Sequence, residues 1–151
     1  MIQRIQSIYL FLTFIILGLL FFLPFAELLT PNMESYIFRF TGIVQNSDNT
    51  YTSTLAITVL VAVTCLISLT TIFLYKKRTL QIRLCIYNSL LLVGLIICIA
   101  LYSYLAIKDL DATYKFNFAS IIPVIAIILT ILAFRKIRQD DQLVRGLDRI
   151  R

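Results

Sequence analysis

The chain has 151 residues, of which 60% are apolar and 15% are charged, and its 14 Lys and Arg residues outnumber its 8 Asp and Glu residues. A soluble domain is about half apolar and a quarter charged, so this composition excludes a water-soluble monomer and a disordered chain. Three cysteines and no histidine exclude a disulfide scaffold and remove the commonest metal ligand. The composition therefore predicts an integral membrane protein.

Four apolar runs without a charged residue lie at about 5–25, 54–75, 84–105 and 116–134. About 20 residues of helix cross a hydrocarbon layer of about 30 Å. We therefore predict an all-α membrane fold, a four-transmembrane-helix bundle over residues 1–134. The first run is longer than the apolar region of a signal peptide and lacks a small-x-small cleavage pattern, so we predict an uncleaved first helix.

The charges are distributed unevenly over the connecting segments. Eleven of the 14 Lys and Arg residues, but only three of the 8 acidic residues, lie in the N-terminal segment, the 76–83 loop and the tail from residue 135. The positive-inside rule places this side in the cytoplasm, so we predict that both termini are cytoplasmic. Because topology explains the positive charge, we predict no nucleic-acid partner.

The first outer loop, residues 26–53, carries a strand pattern. Aromatic and other residues alternate over 36–41, which is the period of a strand. Turn-forming residues occupy 45–49, and residues 51–53 have the composition of a returning strand. We predict a small extracytoplasmic β-hairpin that rests on the outer end of the bundle, because an isolated hairpin is marginally stable in water.

Neutral polar residues mark one face of the second predicted helix, where Thr64, Ser68 and Thr71 follow one another at helical spacing. Residues equally distant from the 76–83 loop reach the same depth, which pairs Thr71 with Asn88 in the third helix. We predict a helix–helix hydrogen bond between Thr71 and Asn88, worth about 0.6 kcal/mol. A ligand site at these residues is the less favoured alternative.

Catalytic constellations are absent from the sequence pattern. No ionisable carboxylate, lysine or arginine lies within the four runs, and Cys65, Cys85 and Cys98 do not occur at metal-ligand spacing. We therefore predict that the protein is not an enzyme and has no catalytic residues, metal or cofactor.

The tail, residues 135–151, has an amphipathic pattern. Its aliphatic residues fall on one side of a helical wheel and most of its charged residues fall on the other. Asp141 and Arg145 form an i, i+4 pair with the acid first, which supports a helix. The pattern predicts a basic amphipathic cytoplasmic helix that either lies on acidic lipid or docks on protein.

Both ends of the chain are distinctive. The opening Met-Ile-Gln-Arg-Ile-Gln-Ser (Met1–Ser7) and the closing Ile-Arg-Gln-Asp-Asp-Gln-Leu-Val-Arg-Gly-Leu-Asp-Arg-Ile-Arg (Ile137–Arg151) resemble a domain-of-unknown-function family of small four-span bacterial inner-membrane proteins. The resemblance implies four helices, multi-pass insertion in a bacterial cytoplasmic (inner) membrane and no known activity. It also points to an interaction surface formed by Gln3, Arg4, Arg138, Asp141, Leu143, Arg145, Asp148, Arg149 and Arg151.

Together these patterns predict a non-enzymatic membrane subunit, scaffold or assembly factor that works through its basic cytoplasmic face. Its expected partners are the lipid bilayer and a membrane or cytosolic protein. The sequence leaves open whether the chain also forms a homo-oligomer. The alternative is a small transporter or channel for an apolar or lipid-like substrate, which needs a polar cavity between the helices.

Overall fold

The computed structural model describes residues 3–31, 35–45, 50–74 and 77–148. Within these ranges the chain forms four helices and five short strands. In chain order they are α1 (Gln3–Leu19), β1 (Ala26–Leu29), β2 (Ser35–Phe38), β3 (Gly42–Gln45), β4 (Thr50–Ser53), α2 (Leu55–Phe73), α3 (Arg78–Leu110), β5 (Thr113–Phe116) and α4 (Ile122–Asp148). A short 3-10 turn, Phe118–Ile121, precedes α4.

The helices pack side by side along narrow buried faces. Helix α1 contacts α2 and α4, and helix α3 contacts the same two helices. In α2 the buried residues recur every three or four positions, as a helix with one inward face requires; they are Ile57, Val61, Thr64, Ser68 and Thr71. Each helix therefore presents a thin inward stripe and leaves most of its circumference outside.

The outward surface of the helices is apolar. Leu66, Leu90 and Leu101 are each more than half exposed, and only about a third of the apolar windows of α2, α3 and α4 is buried inside the protein. Monomeric soluble proteins rarely expose apolar surface on this scale. Three helical segments, Leu55–Phe73, Arg78–Leu110 and Phe118–Gln142, are long and apolar enough to cross a membrane, so the chain is a membrane protein.

The prediction of an all-α, four-transmembrane-helix bundle is wrong. The described part of the chain holds a five-stranded antiparallel sheet and three candidate spans. Helix α1, Gln3–Leu19, has 17 residues, about 25 Å of helix against a layer of about 30 Å. The predicted helix over residues 5–25 therefore ends before residue 25. Pro24 has no N–H to donate to the helix, and the N–H of Phe25 donates instead to the carbonyl of Phe38 in the sheet, at 2.7 Å.

The sheet lies at one end of the helices, which we call the sheet end. Its strand order is β4-β3-β2-β1-β5. The first four strands connect α1 to α2, and β5 comes from the connection between α3 and α4. Ala26 of β1 pairs with Phe38 of β2 on one side and with Phe116 of β5 on the other, so the sheet joins the two connections into one layer.

The predicted hairpin is therefore also wrong in its pairing. Strands form at 35–38 and 50–53, close to the two segments that the sequence pattern indicated, but they do not pair with each other. Strand β3 lies between them and pairs with both. The alternation is correct for β2, where Tyr36 and Phe38 are buried against the helices. An aromatic contact also links the two parts of the fold. Phe21, just after α1, and Phe40, between β2 and β3, have ring centroids 5.1 Å apart.

Candidate functional site

The opposite end of the helices, which we call the basic end, comprises residues 77–83 and 135–148. Here Arg78, the first residue of α3, forms an ion pair with Asp140 of α4, with 3.3 Å between Nη2 and Oδ2. The Nη1 of Arg78 also donates to the main-chain carbonyl of Asp140, at 3.4 Å. The side chains retain 23% and 12% of their exposure, so the pair is largely desolvated and ties α3 to α4.

Asp140 is buried because it continues the inward face of α4. Ala126, Thr130, Ala133 and Ile137 precede it at spacings of three or four residues, and all are buried. Position 140 therefore faces the other helices whatever its side chain is. Arg78 neutralises the carboxylate that this geometry forces inward, and an unpaired charge at such a position would be costly.

Exposed cations surround this pair. Lys77, Arg83, Arg135, Lys136 and Arg138 are exposed. Of the acidic residues at this end whose side chains are described, Asp140 is buried and Asp141 is half-buried. The exposed charge of the described basic end is therefore positive, which suits acidic lipid headgroups or an acidic protein surface.

The predicted interaction residues fall into three groups. Arg138 is exposed on α4 and Asp141 is half-buried there. A second group lies in α1 and α4 by its backbone, but its side chains are outside the described part of the structure: Gln3, Arg4, Leu143, Arg145 and Asp148. Arg149 and Arg151 lie outside the described residues. Helix α4 runs unbroken to Asp148, so the tail through that residue extends the fourth helix.

Two polar contacts join α2 to α3. The Nδ2 of Asn88 donates to Oγ of Ser68 at 3.0 Å, and the Nε2 of Gln81 donates to the carbonyl of Thr71 at 2.9 Å. All four residues are buried. Helices that contact lipid gain little from burying apolar surface against each other, so such bonds help to specify which faces meet.

The bond from Asn88 thus goes to Ser68, whereas the sequence predicted Thr71 as its partner. Helix α2 ends at Phe73 and helix α3 begins at Arg78, so the connection is centred about four residues earlier than the 76–83 segment from which depth was counted. The earlier turn moves the partner of Asn88 toward the N-terminus of α2. The hydroxyl of Thr71 donates within its own helix, to the carbonyl of Ile67 at 2.6 Å.

A pocket of about 370 Å³ opens on the side of α3 near the sheet end. The α3 residues in its wall run from Ile96 to Ile107, and Tyr114 of β5 and Ser120 of the 3-10 turn close one end. Its volume lies in the range of ligand pockets, about 300–1,000 Å³. The wall is mostly aliphatic, and its polar groups gather at the sheet end.

Four residues of this wall carry hydroxyl groups, Ser103, Tyr104, Tyr114 and Ser120, and hydrogen bonds order the last two. Ser120 Oγ donates to the carbonyl of Phe25 at 2.6 Å. Because that bond uses the only hydroxyl proton of Ser120, Tyr114 is the donor in the 3.4 Å contact between the two hydroxyls. Ser103 is buried, and its Oγ has no hydrogen-bond partner.

The described residues contain no group of three or more His, Cys, Asp or Glu side chains that could hold a metal ion. Cys85 is buried, and Cys65 and Cys98 are half-buried; all three are free thiols. Apart from Asp140, the buried polar side chains of the described helices carry hydroxyls or amides. The interior therefore offers hydrogen bonds and little acid–base chemistry.

Sequence reasoning missed the ion pair, the role of Gln81 and the buried hydroxyl of Ser103. The helical spacing of the buried residues in α3 and α4 indicates each of them. Asp140 continues the 126–130–133–137 series of α4. In α3 the buried series 81–85–88–92–95–99–103 includes both Gln81 and Ser103. Extending the inward faces past the ends of the apolar runs finds these residues.

A comparison with known families finds a match over almost the whole chain. The model of the family described as Domain of unknown function (DUF4293) matches residues 2–150. This match confirms the resemblance to a domain-of-unknown-function family that the two termini indicated. No curated protein matches the chain.

Proposed function

The chain belongs to the DUF4293 family, whose description names no activity, and we propose that it is a non-enzymatic subunit, scaffold or assembly factor. In this proposal it is a multi-pass protein of a bacterial cytoplasmic (inner) membrane. Its working surface is the basic end, which faces the cytoplasm. The partner is a membrane or cytosolic protein with an acidic surface.

The observation that carries the proposal is the concentration of exposed cations at the basic end. Arg135, Lys136 and Arg138 lie on one exposed stretch of α4, and Lys77 and Arg83 lie at the start of α3. Cationic segments of this kind remain in the cytoplasm during insertion, which supports the orientation. Charge complementarity would steer an acidic partner to this surface.

The ion pair supports the same assignment by holding the surface rigid. Arg78 and Asp140 fix the start of α3 against α4, so the cations on the two helices keep a constant spacing. A rigid, charged surface binds with less loss of conformational freedom than a flexible one.

The test is co-purification from native membranes in mild detergent, followed by mass spectrometry. The wild-type chain should retain a stoichiometric second protein. The double variant Arg135→Glu, Arg138→Glu should lose it, because reversed charge repels an acidic surface. Lys108→Glu is the matched control, since Lys108 is an exposed cation at the sheet end of α3, and it should keep the partner. Retention of the partner by the double variant, or no stoichiometric partner on the wild type, would contradict the proposal.

The second candidate is a small transporter or channel for an apolar or lipid-like substrate. The pocket beside Ser103 favours it, because the wall is aliphatic with a polar end. Its test is the transbilayer movement of fluorescent phospholipid in vesicles that contain the purified protein. Movement at the rate of protein-free vesicles would remove this candidate.

A further inference from the structure

We propose that the pocket on α3 is a binding site for one acyl chain of a glycerophospholipid, with the ester carbonyl of that chain accepting a hydrogen bond from Ser103. This inference concerns a different surface from the basic end and does not depend on the protein partner proposed above.

The shape of the pocket matches an acyl chain. Its α3 wall runs from Ile96 to Ile107, which is about 16 Å along the helix axis. The aliphatic residues Ile96, Ile99 and Ala100 lie on the side of the membrane centre, in the middle of α3. Ala100 and Tyr104 of its wall are exposed, so the pocket opens on the lipid-facing side of α3 and a lipid can enter sideways from the bilayer.

The polar end of the pocket lies where an ester would be. Ser103, Tyr114 and Ser120 gather toward the sheet end of α3, all within ten residues of Leu110, where that helix ends. The ester groups of lipids lie at the edge of the hydrocarbon layer, so a chain that enters the pocket with its tail toward the membrane centre brings its carbonyl to these hydroxyls.

The choice of Ser103 as the donor follows from burial and from the hydrogen bonds of its neighbours. Tyr104, which also lines the pocket, is 65% exposed, so its hydroxyl does not need an acceptor inside the pocket. Ser120 donates to the carbonyl of Phe25, and Tyr114 donates to Ser120. Ser103 is 7% exposed, and its Oγ has no partner. A buried hydroxyl without a partner is unfavourable. A ligand in this pocket should therefore bring an acceptor, and an ester carbonyl is an acceptor that cannot donate.

The experiment uses the full chain in lipid nanodiscs with a trace of phospholipid that carries a diazirine on one acyl chain. After illumination, mass spectrometry maps the labelled peptides. Two unlabelled competitors are compared, a diester phospholipid and the matching diether phospholipid, which lacks both carbonyls. We expect labelling to concentrate on the 96–107 segment and on Tyr114, and the diester to compete about fivefold better than the diether, as one hydrogen bond predicts.

Variants separate a specific site from ordinary lipid contact. Ser103→Ala should abolish the preference for the diester and should not lower thermal stability without added lipid, because it removes an unsatisfied group. Ala100→Phe fills the pocket and should abolish the labelling. Leu101→Phe is the control, since Leu101 is exposed outside the pocket wall, and should leave labelling unchanged.

Three results would overturn the proposal. The first is labelling spread evenly over the lipid-facing helices. The second is equal competition by the two lipids on the wild type. The third is a diester preference that persists in Ser103→Ala. The competition measurement does not need Ala100→Phe, so it stays decisive if that variant fails to fold. Partner loss in the basic-end experiment would not change any of these outcomes.

Discussion

The Arg78–Asp140 ion pair should contribute substantially to stability, and the two single variants should differ. Arg78→Gln removes both bonds to Asp140 and leaves the more deeply buried member of the pair charged and unpaired. Asp140→Asn removes one charge but keeps the main-chain carbonyl that accepts from Arg78 Nη1. Arg78, at 23% exposure, can also reach water. We therefore expect Arg78→Gln to be the more destabilising of the two.

The burial of the pair sets the expected size of the effect. Breaking a fully buried pair costs about 3–5 kcal/mol, and an exposed pair contributes about 0–1 kcal/mol. For this largely buried pair we expect Arg78→Gln to cost about 3 kcal/mol and Asp140→Asn about 1–2 kcal/mol. The double variant should cost less than the sum of the two, with a coupling free energy of about 1–2 kcal/mol.

The assay is thermal unfolding in mild detergent, followed by a thiol-reactive fluorescent dye. The chain has no tryptophan, whereas Cys85 is 1% exposed and becomes reactive only when the helices separate. Cys65 and Cys98 are replaced by alanine in every variant so that Cys85 alone reports. For a chain of this length 3 kcal/mol corresponds to a fall in Tm of about 6–12 °C.

Arg83→Gln is the control for the loss of one cation, because Arg83 is exposed on the same helix. It should lower Tm by less than about 2 °C, as surface substitutions usually do. If Arg78→Gln matched this control, or if the two single effects added without coupling, the ion pair would contribute nothing beyond surface charge and the argument for a rigid basic end would fail.

Two further pairs of substitutions test the α2–α3 contact and the sheet. Ser68→Ala should destabilise by about 1–3 kcal/mol because it leaves both polar atoms of Asn88 without a partner; Asn88→Leu should cost less, and the reverse order in thermal unfolding would contradict this account. Gly42→Ala should cost about 1–3 kcal/mol, because its Cβ would lie 2.8 Å from the carbonyl oxygen of Thr52, whereas Gly94→Ala meets no atom within 4 Å and should be neutral or stabilising. Limited proteolysis of the sheet distinguishes these glycine variants, and equal cleavage of the two would refute the close approach of β3 and β4.

Several features were predictable because they depend on residues close together in the chain. Apolar runs predict helices, and α2 and α3 lie over the second and third of these runs. Counting the Lys and Arg residues of each connecting segment is sufficient to predict that the cations cluster at one end. The alternation at Tyr36 and Phe38 predicts a strand, and β2 confirms it. The two termini were sufficient to indicate the family.

The candidate sites were less accessible to sequence reasoning. The partner of Asn88 depended on the position of the loop, which the apolar runs placed too far along the chain because α3 begins at Arg78, among charged residues. Asp140 lies beyond the fourth apolar run, which ends at residue 134, and was therefore counted with the tail, although helical spacing places it on the inward face of α4. The pocket combines residues of α3, β5 and the 3-10 turn, and no local pattern places those three segments together.

The sequence by itself determined that this chain lies in a membrane and which end of it is basic, because hydrophobicity and charge are properties of each segment alone. The tertiary structure decided the order of the helices, the pairing of Arg78 with Asp140 and the existence of the sheet. Strands β1 and β5 are four residues each and lie far apart in the chain. Neither segment is stable as a strand on its own, and each becomes one only when the folded chain supplies its hydrogen-bond partner.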